Sequence, residues 1–241
     1  MDPFEQMFRY GWLLDFGESP EQSLSRIAPA INQCDLSTSH FKMNARTMLD
    51  SFKTTIGEEA KKNDIDGSAI AAAIAWEYEQ NLKGRLSDHF QVYTSWQNNG
   101  TDQDHGAGMG WGSMHGAEAK KLRPRSGDVS LMCQRMEAKP AIALVAEFMN
   151  NMAELYFETS NGIWVRNEPA ILALFFNTGR GLVERSAANR ANDPMRSTGV
   201  VTLDVGQNSM AKWVYEKASR FLAHKTHPKQ PPNSIRAQAS V

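Results

Sequence analysis

Between residues 140 and 158 the apolar side chains Ile142, Val145, Met149, Met152 and Tyr156 recur at alternating steps of three and four. At about 100° per residue that spacing lays them along one stripe of an α-helix, the stripe a helix turns toward a core. Helical periodicity and its punctuation predict further helices at about 4–14, 20–33, 39–62, 66–83, 128–138, 168–177 and 208–223. Start signals support several of them: Ser19-Pro20-Glu21-Gln22, Asp66 ahead of an alanine-rich run, and Asn167-Glu168-Pro169 ahead of AILALFF. From Gly84 to Ser113 the helical period is lost in a stretch rich in Gly, Asn, Asp and aromatic residues. A loop of that length in a compact domain is usually functional. A second polar stretch, 179–199, precedes the extended run VVTLDV. The end, HKTHPKQPPNSIRAQASV, has the Pro-rich polar bias of a disordered tail.

The 241 residues, 41% hydrophobic and 22% charged, suffice for a sizeable core without covalent staples. Twenty-six basic against twenty-seven acidic residues leave a formal net charge of −1, so no overall field favours nucleic acid or an anionic membrane. No run approaches the roughly 18 apolar residues that span a bilayer. The opening MDPFEQMFRYGWLLDFG carries Asp2, Glu5 and Arg9 through its apolar residues, unlike a secretory signal, which predicts synthesis in the cytoplasm without Sec export. Two cysteines, Cys34 and Cys133, are too few for a disulfide framework or a zinc cluster; free buried thiols are expected, with a single bridge as the oxidised alternative.

The run SAIAAAIAWEYEQN, residues 68–81, places two glutamates one residue apart. On a helix Glu77 shares the face of Ile70, Ala73 and Ile74, whereas Glu79 falls about 200° away with Lys83 one turn later as its partner. Glu79 reads as a surface charge. A carboxyl group aimed at an apolar face is desolvated and holds its proton near neutral pH, as a general acid must. The competing reading has Glu77 capping a helix end or pairing with Arg85 or Arg123.

The pieces after Glu77 come in a definite order. AIAWEYE is followed by GWGSMHG and then, beyond the long helix, by ALFFNTG. This succession, over roughly residues 66–180, resembles the lysozyme-like superfamily, particularly lytic transglycosylases and goose-type lysozymes. In those families one helix ends in the catalytic glutamate, a GLMQ-like turn lines the sugar cleft, and a later helix ends in AxYNxG. The resemblance places Glu77 at the catalytic position, Gly112, Met114 and His115 in the cleft turn, and Phe176 and Asn177 at the later helix end, with His115 replacing a glutamine and Phe176 a tyrosine. It implies a mainly α, lysozyme-like helical domain at 66–224, with an N-terminal helical extension at 1–65, a long Gly-rich cleft loop and a disordered tail at 225–241. It also implies cleavage of the MurNAc–GlcNAc β-1,4 bond of peptidoglycan. Chitin cleavage by a member of the same superfamily and a non-catalytic helical adaptor, in which Glu77 is structural, are the alternatives.

Glycines 106, 108, 110 and 112 permit the chain to lie close against a polymeric ligand, and Trp96 and Trp111 offer flat faces for sugar rings, Trp111 reading equally as a core or lid aromatic. Glycosidases commonly pair the acid with a second carboxylate, for which the loop offers Asp88, Asp102 and Asp104. Asp102 and Asp104 in TDQDHG favour a hydrolase that positions water, whereas a lytic transglycosylase manages with one glutamate. Glu79, Asp88 and Thr94 also fit the spacing of phage-type lysozymes, but the glycines that family needs are missing and Glu79 faces the wrong way. His105 and His115 flank the glycine run, yet neither a calcium-loop register nor a third zinc ligand is present, so no metal or other cofactor is expected. A wall-degrading enzyme without a Sec signal implies another route out of the producing cell. A phage lysis context is one such route; delivery as an antibacterial type VI secretion effector into a target periplasm is the other, and it implies a secretion-system carrier and a cognate immunity protein as partners.

Overall fold

The computed structural model describes residues 33–40, 42–82, 108–191 and 200–241. Among these the chain is mainly helical, with short strands. The predicted helices at 4–14 and 20–33 fall almost wholly outside the described residues. In order come a 3-10 turn Leu36–Thr38, α1 Ala45–Ser51, α2 Lys53–Lys62, α3 Gly67–Glu77 and a π-turn Tyr78–Leu82. After them stand β1 Gly108–Met109, β2 Met114–His115, α4 Gly116–Leu122, α5 Asp128–Met136, α6 Ala138–Thr159, β3 Ile163–Trp164, α7 Pro169–Thr178 and α8 Arg180–Ala191. The chain closes with β4 Val200–Asp204, α9 Ser209–Glu216, a 3-10 helix Ala218–His224 and β5 Ile235–Ser240.

The apolar stripe of α6 is core, with Ile142, Met149 and Tyr156 at 0% exposure. Burying each such side chain contributes about 1.5–3 kcal/mol. The single helix expected over 39–62 is instead two, α1 and α2, broken at Phe52, whose backbone leaves the helical region at ψ 18°. Helix α8 lies in the stretch 179–199, read from sequence only as polar. Among its described side chains only Val183 and Ala187, one turn apart, are fully buried, too sparse a stripe to signal a helix.

The chain divides into two compact units, residues 1–48 with 77–144 and residues 49–76 with 145–241. These divisions fall inside α1, α3 and α6 rather than at the 65/66 boundary expected from sequence. In the first unit, α4 and α5 pack around the antiparallel pair β1–β2, where Gly108 faces His115 and Met109 faces Met114. A disulfide joins Cys34 to Cys133 on α5, replacing the expected free thiols. The same N-terminal segment is held by the Asp35 N–H donating to Glu137 Oε1 at 3.0 Å and the Ala138 N–H donating to Thr38 Oγ1 at 3.1 Å.

The second unit holds a three-stranded, wholly parallel sheet in the order β3-β5-β4. Its central strand is β5, from the segment expected to be a disordered tail. That expectation is overturned: Ile235, Ala237 and Ala239 alternate with Arg236, Gln238 and Ser240, a period of two hidden by the Pro-rich residues before it. Ala237 is fully buried. Upstream of β5 the chain straps the start of α3. Thr226 Oγ1 accepts from the Gly67 N–H at 2.9 Å and donates to the Ile65 carbonyl at 2.7 Å, and the Lys229 N–H donates to Asp64 Oδ1 at 2.8 Å.

Candidate functional site

Glu77 is the last residue of α3, and that helix is unusual in composition. Ala69 through Ile74 are all at 0% exposure, so the helix is apolar all round and buried on every side. Its small residues allow neighbouring backbone to approach closely, and its start is fixed by Asp66. One oxygen of that carboxylate accepts from the Ser68 N–H at 2.9 Å, the Ser68 hydroxyl at 2.8 Å and the Thr226 N–H at 3.2 Å. A cap of this kind stabilises a helix by about 1 kcal/mol.

Glu77 itself is 5% exposed. The helix does not divide into a buried face for Glu77 and an exposed one for Glu79. Ala72 and Ala75, off the face of Ile70, Ala73 and Ile74, are buried too, and the α-helical turn ends at Glu77, so Glu79 lies in the π-turn and follows a different angular step. Glu79 is half-buried rather than a plain surface charge. Its expected partner Lys83 lies outside the described residues, as do Asp102 and Asp104, and with them Arg85, Asp88, Thr94, Trp96, His105 and Gly106.

The cleft turn is a tight hairpin in the first unit. A side chain at Gly108 would sit 1.9 Å from the Ser113 carbonyl oxygen, and one at Gly110, where φ is +73°, would sit 1.9 Å from that of Arg135. Both glycines therefore admit the protein's own backbone, which corrects the expectation that they make room for a ligand. Trp111 does not offer a sugar platform either. It is fully buried, its indole N–H donates to the Thr38 carbonyl at 2.8 Å, and its ring stacks on Tyr78 at 6.0 Å between centroids, with His40 edge-on. This is the core role weighed for it from the sequence. Burial also pushes the Tyr78 phenol above its usual range. The hairpin thus packs against the residue that follows Glu77.

Gly112 and Met114 are buried as well, and the Met114 carbonyl accepts from Arg135 Nη1 at 3.0 Å. His115 is exposed on β2 immediately before α4, and its side chain makes no cap hydrogen bond. Phe176 and Asn177 belong to the second unit, at the end of α7. Phe176 packs edge-on against Phe148 at 5.5 Å, and the exposed Asn177 accepts from the Asn208 amide at 2.8 Å. Gly179 closes that helix with φ +71°, a conformation natural to glycine. The final glycine of ALFFNTG is thus explained by the helix end.

Sequence reasoning missed two charged clusters in the second unit. Glu168, read only as part of a helix start, makes no side-chain cap bond. Burial pushes its carboxyl up to about 7, with the Asp66 charge adding to the rise and Arg236 and Lys225 opposing it. Arg166 is 7% exposed; its guanidinium donates to the Asn63 carbonyl at 3.0 Å, the Asp64 carbonyl at 3.2 Å, the Asn150 side-chain oxygen and Glu154 Oε1, the last at 3.0 Å. A lone arginine in VRNEP carries no local signal of this role, because its acceptors come from two other stretches of chain, 63–64 and α6. Among the described residues no group of three or more His, Cys, Asp or Glu side chains is placed to hold a metal ion.

Set against known proteins, the chain matches no family model, no curated protein and no solved structure.

Proposed function

We propose that the protein cleaves the glycan strands of peptidoglycan at the MurNAc–GlcNAc β-1,4 bond, with Glu77 as the general acid. The observation that carries this reading is the burial of Glu77 at the end of a helix whose residues 67–75 are all buried. That is the position at which the resemblance to lytic transglycosylases and goose-type lysozymes puts the catalytic acid, and proton transfer from a positioned carboxyl group is what the bond cleavage needs. The hairpin of Trp111, Gly112 and Met114 packs beside the following residue, Tyr78, and serves as a rigid support for the acid rather than as a sugar platform. In this reading Glu77 protonates the leaving glycosidic oxygen, and Asp102 or Asp104 directs water to the anomeric carbon. A transglycosylase instead uses the muramic 6-hydroxyl as the nucleophile.

The Cys34–Cys133 bridge supports action in an oxidising compartment, such as the periplasm of a target cell, since such bridges persist there and are rare in the cytosol. Delivery as an antibacterial effector, with its carrier and immunity protein, belongs to the same proposal. Among the described residues no helix is long and apolar enough to cross a membrane.

The test is digestion of Gram-negative peptidoglycan by the wild type and by Glu77→Gln, with mass spectrometry of the released muropeptides. The expected outcome is release by the wild type and a loss of at least about 100-fold in the variant, the scale of general-acid catalysis. Reducing ends identify a hydrolase and 1,6-anhydro ends a transglycosylase. Equal release by both proteins, or none by a folded wild type, removes the reading in favour of chitin or of a binding module.

A further inference from the structure

The second unit contains a cavity of about 570 Å3 that the Glu77 chemistry does not use. Three pieces of chain build it: Glu154, Phe157 and Glu158 on one face of α6, Trp164 and Arg166 at β3, and Lys229 to Pro232 of the C-terminal strap, with Asp64 completing the rim. Its size is in the range of a small-molecule site.

The groups lining it are already partly committed, and what remains uncommitted indicates the ligand. Arg166 is consumed by backbone carbonyls, Asn150 and Glu154, and its guanidinium lies 5.6 Å from the centre of the Trp164 ring, so this cation is a strut of the wall. Asp64 gives one oxygen to the Lys229 backbone N–H and Glu154 gives one to Arg166, which leaves each a second oxygen. Glu158 is exposed and stands one helical turn from Glu154, and two like charges at that spacing repel unless a cation lies between them. Lys229 on the strap is exposed and is a second cation of the lining beside Arg166. Phe157, Trp164, Pro231 and Pro232 supply apolar walls.

We infer that this cavity is a binding site for a short peptide that carries a free side-chain ammonium group, a carboxylate and small apolar side chains. The ammonium lies among Asp64, Glu154 and Glu158, the carboxylate meets Lys229, and methyl-sized groups rest on Phe157 and the two prolines. Resting on the peptidoglycan reading, the ligand is the peptide stem of the wall, so the chain grips its substrate by peptide as well as by glycan.

Isothermal titration of the Glu77→Gln protein with a soluble stem peptide of alanine, glutamate and diaminopimelate tests this. The same peptide with its side-chain amine acetylated and a chitin tetrasaccharide serve as comparison ligands. The expected result is one-to-one binding, weakened at least tenfold by acetylation and by the double variant Asp64→Asn, Glu158→Gln, with the tetrasaccharide leaving the peptide's affinity unchanged. No binding at millimolar peptide, equal binding of the acetylated form, or competition by the tetrasaccharide overturns the inference. The acetylated ligand keeps the test decisive if the double variant fails to fold. Because no turnover is read, the result stands apart from the digestion experiment: stem binding with no glycan cleavage removes the proposed catalysis and leaves this site, and the converse removes only this site.

Discussion

The Glu168 carboxyl sits well above its ordinary range, at about 7 in the fold against an ordinary 4.5, chiefly through burial. A raised folded value means that the fold favours the protonated form. The stabilisation is complete below about pH 4.5 and is lost as pH rises through about 7. Because the group is only partly buried, the loss across that window is on the order of 1–2 kcal/mol. Glu168→Gln, which keeps the shape and removes the charge, should therefore stabilise the protein at pH 8 and leave it little changed at pH 4.5. Urea unfolding of both proteins at several pH values checks this, and parallel pH profiles would sink it. The sequence marked Glu168 only as a neighbour of Pro169. The fold that buries it is not visible locally, and the charges that modulate it, Arg236, Lys225 and Asp66, lie tens of residues away in both directions.

Among the elements, the helix that ends in Glu77 depends on a strap from the far end of the chain. Thr226 satisfies both the Gly67 N–H and the Ile65 carbonyl, and a side chain at Gly67 would sit 2.5 Å from the His224 carbonyl oxygen. Thr226→Val leaves those two backbone groups unsatisfied, which should cost about 1–3 kcal/mol, and Thr226→Ser should restore most of it. The readout specific to the strap is amide hydrogen exchange at Gly67, expected to quicken in Val and recover in Ser. Unchanged exchange in Thr226→Val would show that the strap does not hold the helix start. The existence of α3 was legible from its alanine-rich run and from Asp66 before it. Its partner was not, since HKTHPKQPPNS has the composition of a loop and gives no local sign of where it docks.

Across the whole molecule, the largest covalent constraint is the bridge between Cys34 and Cys133, which are 99 residues apart. Cys34→Ser with Cys133→Ser should lower stability by about 2–5 kcal/mol, measured by denaturant unfolding under oxidising conditions. Thiol titration of the unfolded, unreduced wild type should find no free thiol. Two thiols found there would return the protein to the reduced state first expected and remove the argument for an oxidising compartment.

The sequence by itself determined the helices that repeat one pattern over several turns: the α6 stripe, the alanine-rich α3, and α7 with its Glu-Pro start. Each is written in neighbours three and four residues apart. Only the tertiary structure decided which residues meet across long separations. It turned the glycines of the hairpin toward the Ser113 and Arg135 carbonyls, buried Trp111 against Thr38, paired the cysteines, and drew β5 from a polar tail into the centre of a parallel sheet. Local spacing records the face a residue shares with its own turn; burial and pairing depend on partners brought together by folding, and no window of neighbouring residues contains them.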